Sequence, residues 1–147
     1  MSRRWLAACL GLFAAGAHAN EYQEGQVWQY KTRTGEESSR LYVVKVETLS
    51  NGERAFHIHL DKLSIQTGYL PGNVQTALPH VPVSAATLDQ SVVRLQGLTD
   101  NPPDISEGYA VWREAYDAGE GGIFTIPVAE IVEYIESIAR QHPGTPP

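Results

Sequence analysis

Residues 39–65, SRLYVVKVETLSNGERAFHIHLDKLSI, decide the fold. Side chains alternate in polarity on both sides of Ser50-Asn51-Gly52, and Asn-Gly is the strongest short hairpin signal because both residues tolerate positive φ. Ser39 to Thr48 reads as a strand with Tyr42, Val44 and Val46 on one face and Leu41 and Val43 leading the other. Arg54 to Ile65 reads as its antiparallel partner. Its apolar series Phe56, Ile58, Leu60 changes phase to Leu63 and Ile65, which predicts a bulge near Asp61 and Lys62.

Upstream, Gln26 to Arg33 alternates with Trp28, Tyr30 and Thr32 on one face, and Thr34 to Ser38 is a polar turn. Three strands joined this way form an antiparallel meander. Downstream, Thr67 to Val83 holds Gly68, Pro71, Gly72, Pro79 and Pro82 and reads as a long surface loop. Ser84 then caps a helix carrying Leu88, Val92 and Leu95 and ending at Gly97, although Val92-Val93 could instead enter a strand.

Asp104 and Glu107 have the spacing of a capping box, opening a helix with Tyr109, Trp112 and Tyr116 that stops at Gly119. Ile123-Phe124-Thr125 reads as a short fourth strand. After Thr125 and Pro127, the stripe Val128, Ile131, Val132, Ile135, Ile138 and Ala139 marks the clearest helix, with Glu130, Glu133, Glu136 and Arg140 off that stripe. The expected fold is α+β: a β-meander of three to four strands packed on one face by two or three C-terminal helices.

Gly25 to Arg33, Leu78 to Ser84, and Glu107-Gly108-Tyr109 through Ile126 resemble a group of small exported bacterial proteins of uncharacterised function. The resemblance implies export and a single domain, and carries no activity.

The first 19 residues agree with export. Arg3 and Arg4, the apolar run Trp5 to Ala15 and Ala17-His18-Ala19 have the order of a cleavable secretory signal. The run falls short of the roughly 20 apolar residues of a membrane-spanning helix. Leu6-Ala7-Ala8-Cys9 is similar to a lipoprotein box, but most of the apolar run follows Cys9 instead of preceding it. Ser2-Arg3-Arg4 has the twin arginines of a folded-protein export signal without the rest of that pattern. The expected organisation is therefore a signal at 1–19, one domain at 20–141 and a disordered tail at 142–147, with the mature chain in the periplasm or secreted.

Cleavage removes two bases and no acid, leaving 9 Lys and Arg against 17 Asp and Glu, a net charge of -8. Such a chain is poorly suited to nucleic acid or anionic membranes and well suited to a basic protein. Stable membrane insertion is not expected. Cleavage also removes Cys9, the one cysteine, and with it disulfide and thiolate chemistry in the mature chain.

Two clusters are candidate sites. From Asp104 to Glu136 there are eight acids against Arg113 alone, so Glu114, Asp117, Glu120, Glu130 and Glu133 are the expected contacts of an acidic helical face. That face fits an inhibitor or immunity-type protein covering a basic site on its partner, with no cofactor. The alternative is a metal-binding protein or metal-dependent enzyme. His57 and His59 point the same way along a strand and, with His80, could share zinc or copper, although alternation alone also puts histidines on a strand's polar face. Glu36-Glu37, in a turn, reads as solvated. No nucleophile elbow or phosphate-binding glycine loop is present in the sequence, which ranks binding above catalysis.

Overall fold

The computed structural model describes residues 21–68 and 72–141. The expected signal, its cleavage site, Cys9 and the C-terminal tail lie outside the described residues. The α+β class holds: the strands β1 (Gln26–Tyr30), β2 (Leu41–Thr48), β3 (Arg54–Leu60), β6 (Leu78–Val83) and β7 (Val92–Leu98) form one antiparallel sheet in the order β6-β3-β2-β1-β7. A separate two-stranded ribbon pairs β4 (Ile65–Gln66) with β5 (Val74–Gln75). The helices are α1 (Ala85–Ser91), α2 (Ser106–Asp117) and α3 (Val128–Gln141). No helix among the described residues is long and apolar enough to cross a membrane.

The β2–β3 hairpin turns where Asn-Gly placed it. Gly52 has φ of 88°, the Gly52 N–H donates to the Leu49 carbonyl, and the Glu53 N–H donates to the Asn51 side chain. β3 ends earlier than expected, at Leu60. Lys62 sits at φ 50°, so the chain turns there instead of bulging within a continuing strand, and Asp61 accepts the Arg40 N–H at 2.7 Å. The phase change from Leu60 to Leu63 therefore marks a new element.

Two expectations fail between Thr67 and Gly97. Residues 78–83, read as loop, are the edge strand β6, whose prolines suit its position because an edge leaves one side of the backbone unpaired. The Pro82 carbonyl accepts from Phe124 on the outer side, so its missing N–H also points away from β3 and costs no bond there. The helix capped by Ser84 stops at Ser91 and runs directly into β7. Val92 and Val93 are β-branched and favour a strand, and the edge of β1 supplies partners, with Tyr30 opposite Val92 and Trp28 opposite Leu95.

The other differences are smaller. Asp104 accepts the N–H of Ser106, two residues on, so the capping box with Glu107 does not form. The fourth strand at 123–125 reduces to one parallel bridge between Val83 and Phe124.

The helices divide between the two faces of the sheet. Leu88 of α1 and Val128, Ile131 and Val132 of α3 join Trp28, Leu41, Val43, Phe56, Ile58 and Leu60 in the main core. Each such side chain, fully buried, contributes about 1.5–3 kcal/mol. On the other face, Trp112 of α2 closes a smaller cluster over Leu49 and Ala55, flanked by Tyr109, Tyr116 and Ile123. Because Ala55 and Phe56 are neighbours in one strand, their side chains point to opposite sides, and so do the helices that cover them. The chain passes the β6 edge at Ile123-Phe124, one residue in each cluster.

Candidate functional site

The α2 face holds the densest constellation of polar groups, and a bulge assembles it. Pairing of β2 with β3 slips between Val43 and Lys45, so that Ile58 faces Val43, His57 faces Lys45 and Ala55 faces Glu47. Paired in regular alternation, Val44 would put Glu47 on the apolar face of Leu41 and Val43; bulged out of it, Val44 leaves Glu47 on the face of His57. A second slip, between Ile58 and Leu60 along β6, sets Pro79 and His80 against the single residue His59.

His57 is fully buried, 0% exposed, beneath Tyr109 and Trp112. Its placement corrects the polar strand face expected for it. His57 Nε2 lies 2.7 Å from Glu47 Oε2, and His57 Nδ1 lies 2.9 Å from His80 Nε2. The two imidazoles are within 16° of parallel with centroids 5.1 Å apart, a separation that such a short N···N contact permits only if the rings meet nearly edge to edge. The remaining oxygen of Glu47 accepts from Tyr109 Oη at 3.2 Å and Arg113 Nη1 at 3.1 Å. Arg113 also pairs with Asp117 at 2.7 Å and lies over the rings of Trp112 and Tyr116.

Hydrogen bonding settles the histidine tautomers. Glu47, ion-paired to Arg113, offers only acceptors, so His57 Nε2 carries the proton and His57 Nδ1 is a lone pair. His80 Nε2 must therefore donate to it, leaving His80 Nδ1 as a bare acceptor. Burial lowers the His57 pKa, against the opposing pull of Glu47. Burial, and then the neighbouring His57, bring His80 down to about 4. Both rings are neutral at pH 7.

His80 lines a groove of about 680 Å³ with Pro79, Glu107, Gly108, Val111 and Trp112. Gly108 allows α2 to approach β6 this closely: a Cβ there would lie 2.7 Å from the His80 Cβ. His59, expected beside His57, instead has its Nδ1 3.2 Å from the Pro79 carbonyl and packs edge-on to Tyr42. Thus His57 and His80 meet through a hydrogen bond and His59 stands apart. Among the described residues, no group of three or more His, Cys, Asp and Glu is arranged to hold a metal ion.

The five acids expected on one helical face are divided by the sheet. Glu114, Asp117 and Glu120 are exposed on and just after α2, whereas Glu130 and Glu133 are exposed on α3 at the opposite face. Glu133 also pairs with Arg33 at 3.1 Å. Glu36, read as solvated, and Glu136, placed off the apolar stripe, are both buried. Glu36, 3% exposed, binds Arg33 and the Ser64 N–H, and Glu136, 5% exposed, binds Arg33, Arg140 and the Gln66 N–H. Burial acts to raise both carboxyl pKa values, but these partners outweigh it and hold both below the usual range. The pair anchors α3 to the loop after β1 and to the β4 ribbon.

Sequence reasoning missed Glu47, Tyr109 and Arg113. The i,i+4 spacing of Tyr109 and Arg113 was visible and places them on one helix face, whereas nothing in the local pattern reveals the bulge at Val44. No protein family, curated protein or solved structure matches this chain.

Proposed function

We propose that this chain is an exported binding protein of the inhibitor or immunity type, which covers a basic site on a partner protein with the outer face of α2. One observation carries this reading. Glu114, Asp117 and Glu120 are exposed along α2 and just beyond it, while Arg113, the lone base of that helix, is engaged by Glu47 and Asp117. A surface of one sign accelerates encounter with its opposite and excludes like-charged partners. Glu130 and Glu133, on the far side of the sheet, do not belong to this contact.

The test begins with the partner recovered by pull-down from the producing organism's own extract. Its affinity for the wild-type protein should fall steeply between low and high salt. Combined Glu114→Lys, Asp117→Lys and Glu120→Lys should weaken binding by at least about 100-fold, since opposed like charges cost several kcal/mol. Reversal of Glu130 and Glu133 should leave it unchanged. An unaltered affinity in the α2 triple variant overturns the assignment of this face.

A further inference from the structure

The groove beside α2 combines an apolar floor with two hydrogen-bond acceptors and no donor of comparable strength. Val111 is 67% exposed at its rim, and Pro79 and Trp112 add apolar surface. Glu107 lines the same groove and is exposed, and among the described residues its carboxylate has no side-chain partner. The second acceptor is His80 Nδ1, which lies on the side of the ring facing Gly108. The Glu47–His57–His80 chain fixes this nitrogen as a lone pair, because each proton in it is committed one step inward. Among the described residues, Nδ1 itself receives no hydrogen bond.

We infer that this groove binds an arginine side chain of the basic partner, with Glu107 and His80 Nδ1 accepting from its guanidinium and Val111 and Trp112 covering its aliphatic stem. The assignment rests on the reading of the domain as a binder of basic protein, and it names the contact that would give that binding specificity. Charge complementarity selects a cation. Arginine is favoured over lysine because its planar fork can donate to separated acceptors in one plane and lies well on apolar and aromatic surface. Glu47 and His57 are positioning residues here: they hold the His80 tautomer without touching the ligand.

The experiment titrates ¹⁵N-labelled protein with Nα-acetyl-L-arginine amide and, separately, with its neutral isostere Nα-acetyl-L-citrulline amide. Arginine amide should produce weak, saturable shifts centred on Gly108, Val111 and the Trp112 indole, reduced by salt, and citrulline amide should not. Glu107→Gln should weaken arginine amide binding by about fivefold or more, the scale of one charge-assisted hydrogen bond at a solvated site. The imidazole ¹⁵N spectrum of the free protein should show His80 protonated at Nε2, and the Nδ1 resonance should move on titration. No response to arginine amide, equal binding of citrulline amide, indifference to Glu107→Gln, or a His80 protonated at Nδ1 each overturns the proposal. Glu114, Asp117 and Glu120 do not line the groove, so failure of the groove and failure of the α2 surface are separately visible.

Discussion

Alternate residues of β3 serve two dissimilar layers. Phe56, Ile58 and Leu60 enter the main core beneath α1 and α3, where van der Waals contact and removal of water provide the stabilisation. Ala55 and His57 face α2, where a small aromatic cluster surrounds a carboxylate, two imidazoles and a guanidinium. The first layer is tolerant in chemistry and strict in volume. The second is strict in chemistry, since each buried polar atom must find its partner and loss of one strands the next. One layer thus sets the stability of the domain and the other the orientation of groups at its surface.

Removing volume from the first layer should have the largest effect. Ile58→Ala deletes a fully buried side chain at the centre of the sheet and should cost about 3–4 kcal/mol in urea denaturation, leaving the groove's chemistry in place. A loss below about 1 kcal/mol would break the distinction between the layers. Adding volume at the second should cost less. Gly108→Ala sets a methyl against His80, and separating α2 from β6 should cost about 2 kcal/mol, accompanied by a change in tryptophan fluorescence as Trp112 is displaced.

Acidification should have the smallest effect of the three within its window, and it isolates the second layer. The folded-state pKa values of His57 and His80 lie below the ordinary 6.5, so the unfolded chain takes up protons first as pH falls. Stability is complete above about pH 6.5 and declines as pH falls toward the folded values, about 4 for His80. Between pH 7.5 and 5 the loss should be on the order of 1–2 kcal/mol, discounted for the partial exposure of His80. Glu36 and Glu136, whose pKa values are lowered, add their own loss only below about pH 4.5. A flat stability profile from pH 7.5 to 5 would show that the imidazoles are not held neutral by the fold.

The two layers also differ in how far they could be read from the residues alone. The α3 stripe and the alternation of β1 and β3 follow from the burial of apolar side chains at fixed periods, and the core formed where those periods placed it, except at Ile138, which is exposed near the end of α3. β6 was hidden because its prolines look like loop punctuation, and only its edge position makes them harmless. β7 was legible only as the alternative at Val92-Val93, because Leu88, Val92 and Leu95 mimic a helical period, while the unpaired edge of β1 is information from a distant part of the chain. Of the polar site, the histidines were visible as a set, but their partners were not. Glu47 reaches His57 through a register slip, and the Ser64 N–H that binds Glu36 and the Arg33 guanidinium and Gln66 N–H that bind Glu136 are remote from them in sequence.

The bulge at Val44 gives β2 two reading frames. Ahead of it, odd-numbered residues belong to the oily layer; beyond it, they belong to the polar one. What matters at this point is therefore the register of the residues that follow, more than the identity of the one that bulges. Exchange of Val44 for another side chain, or its deletion, leaves Lys45, Val46 and Glu47 opposite His57, Phe56 and Ala55, whereas pairing Val44 into a regular ladder would transpose every later residue of the strand, sending Val46 toward the imidazoles and the Glu47 carboxylate into hydrocarbon. The polar layer is encoded by register, and a slip of one residue along β3 would erase it while leaving its amino acids present.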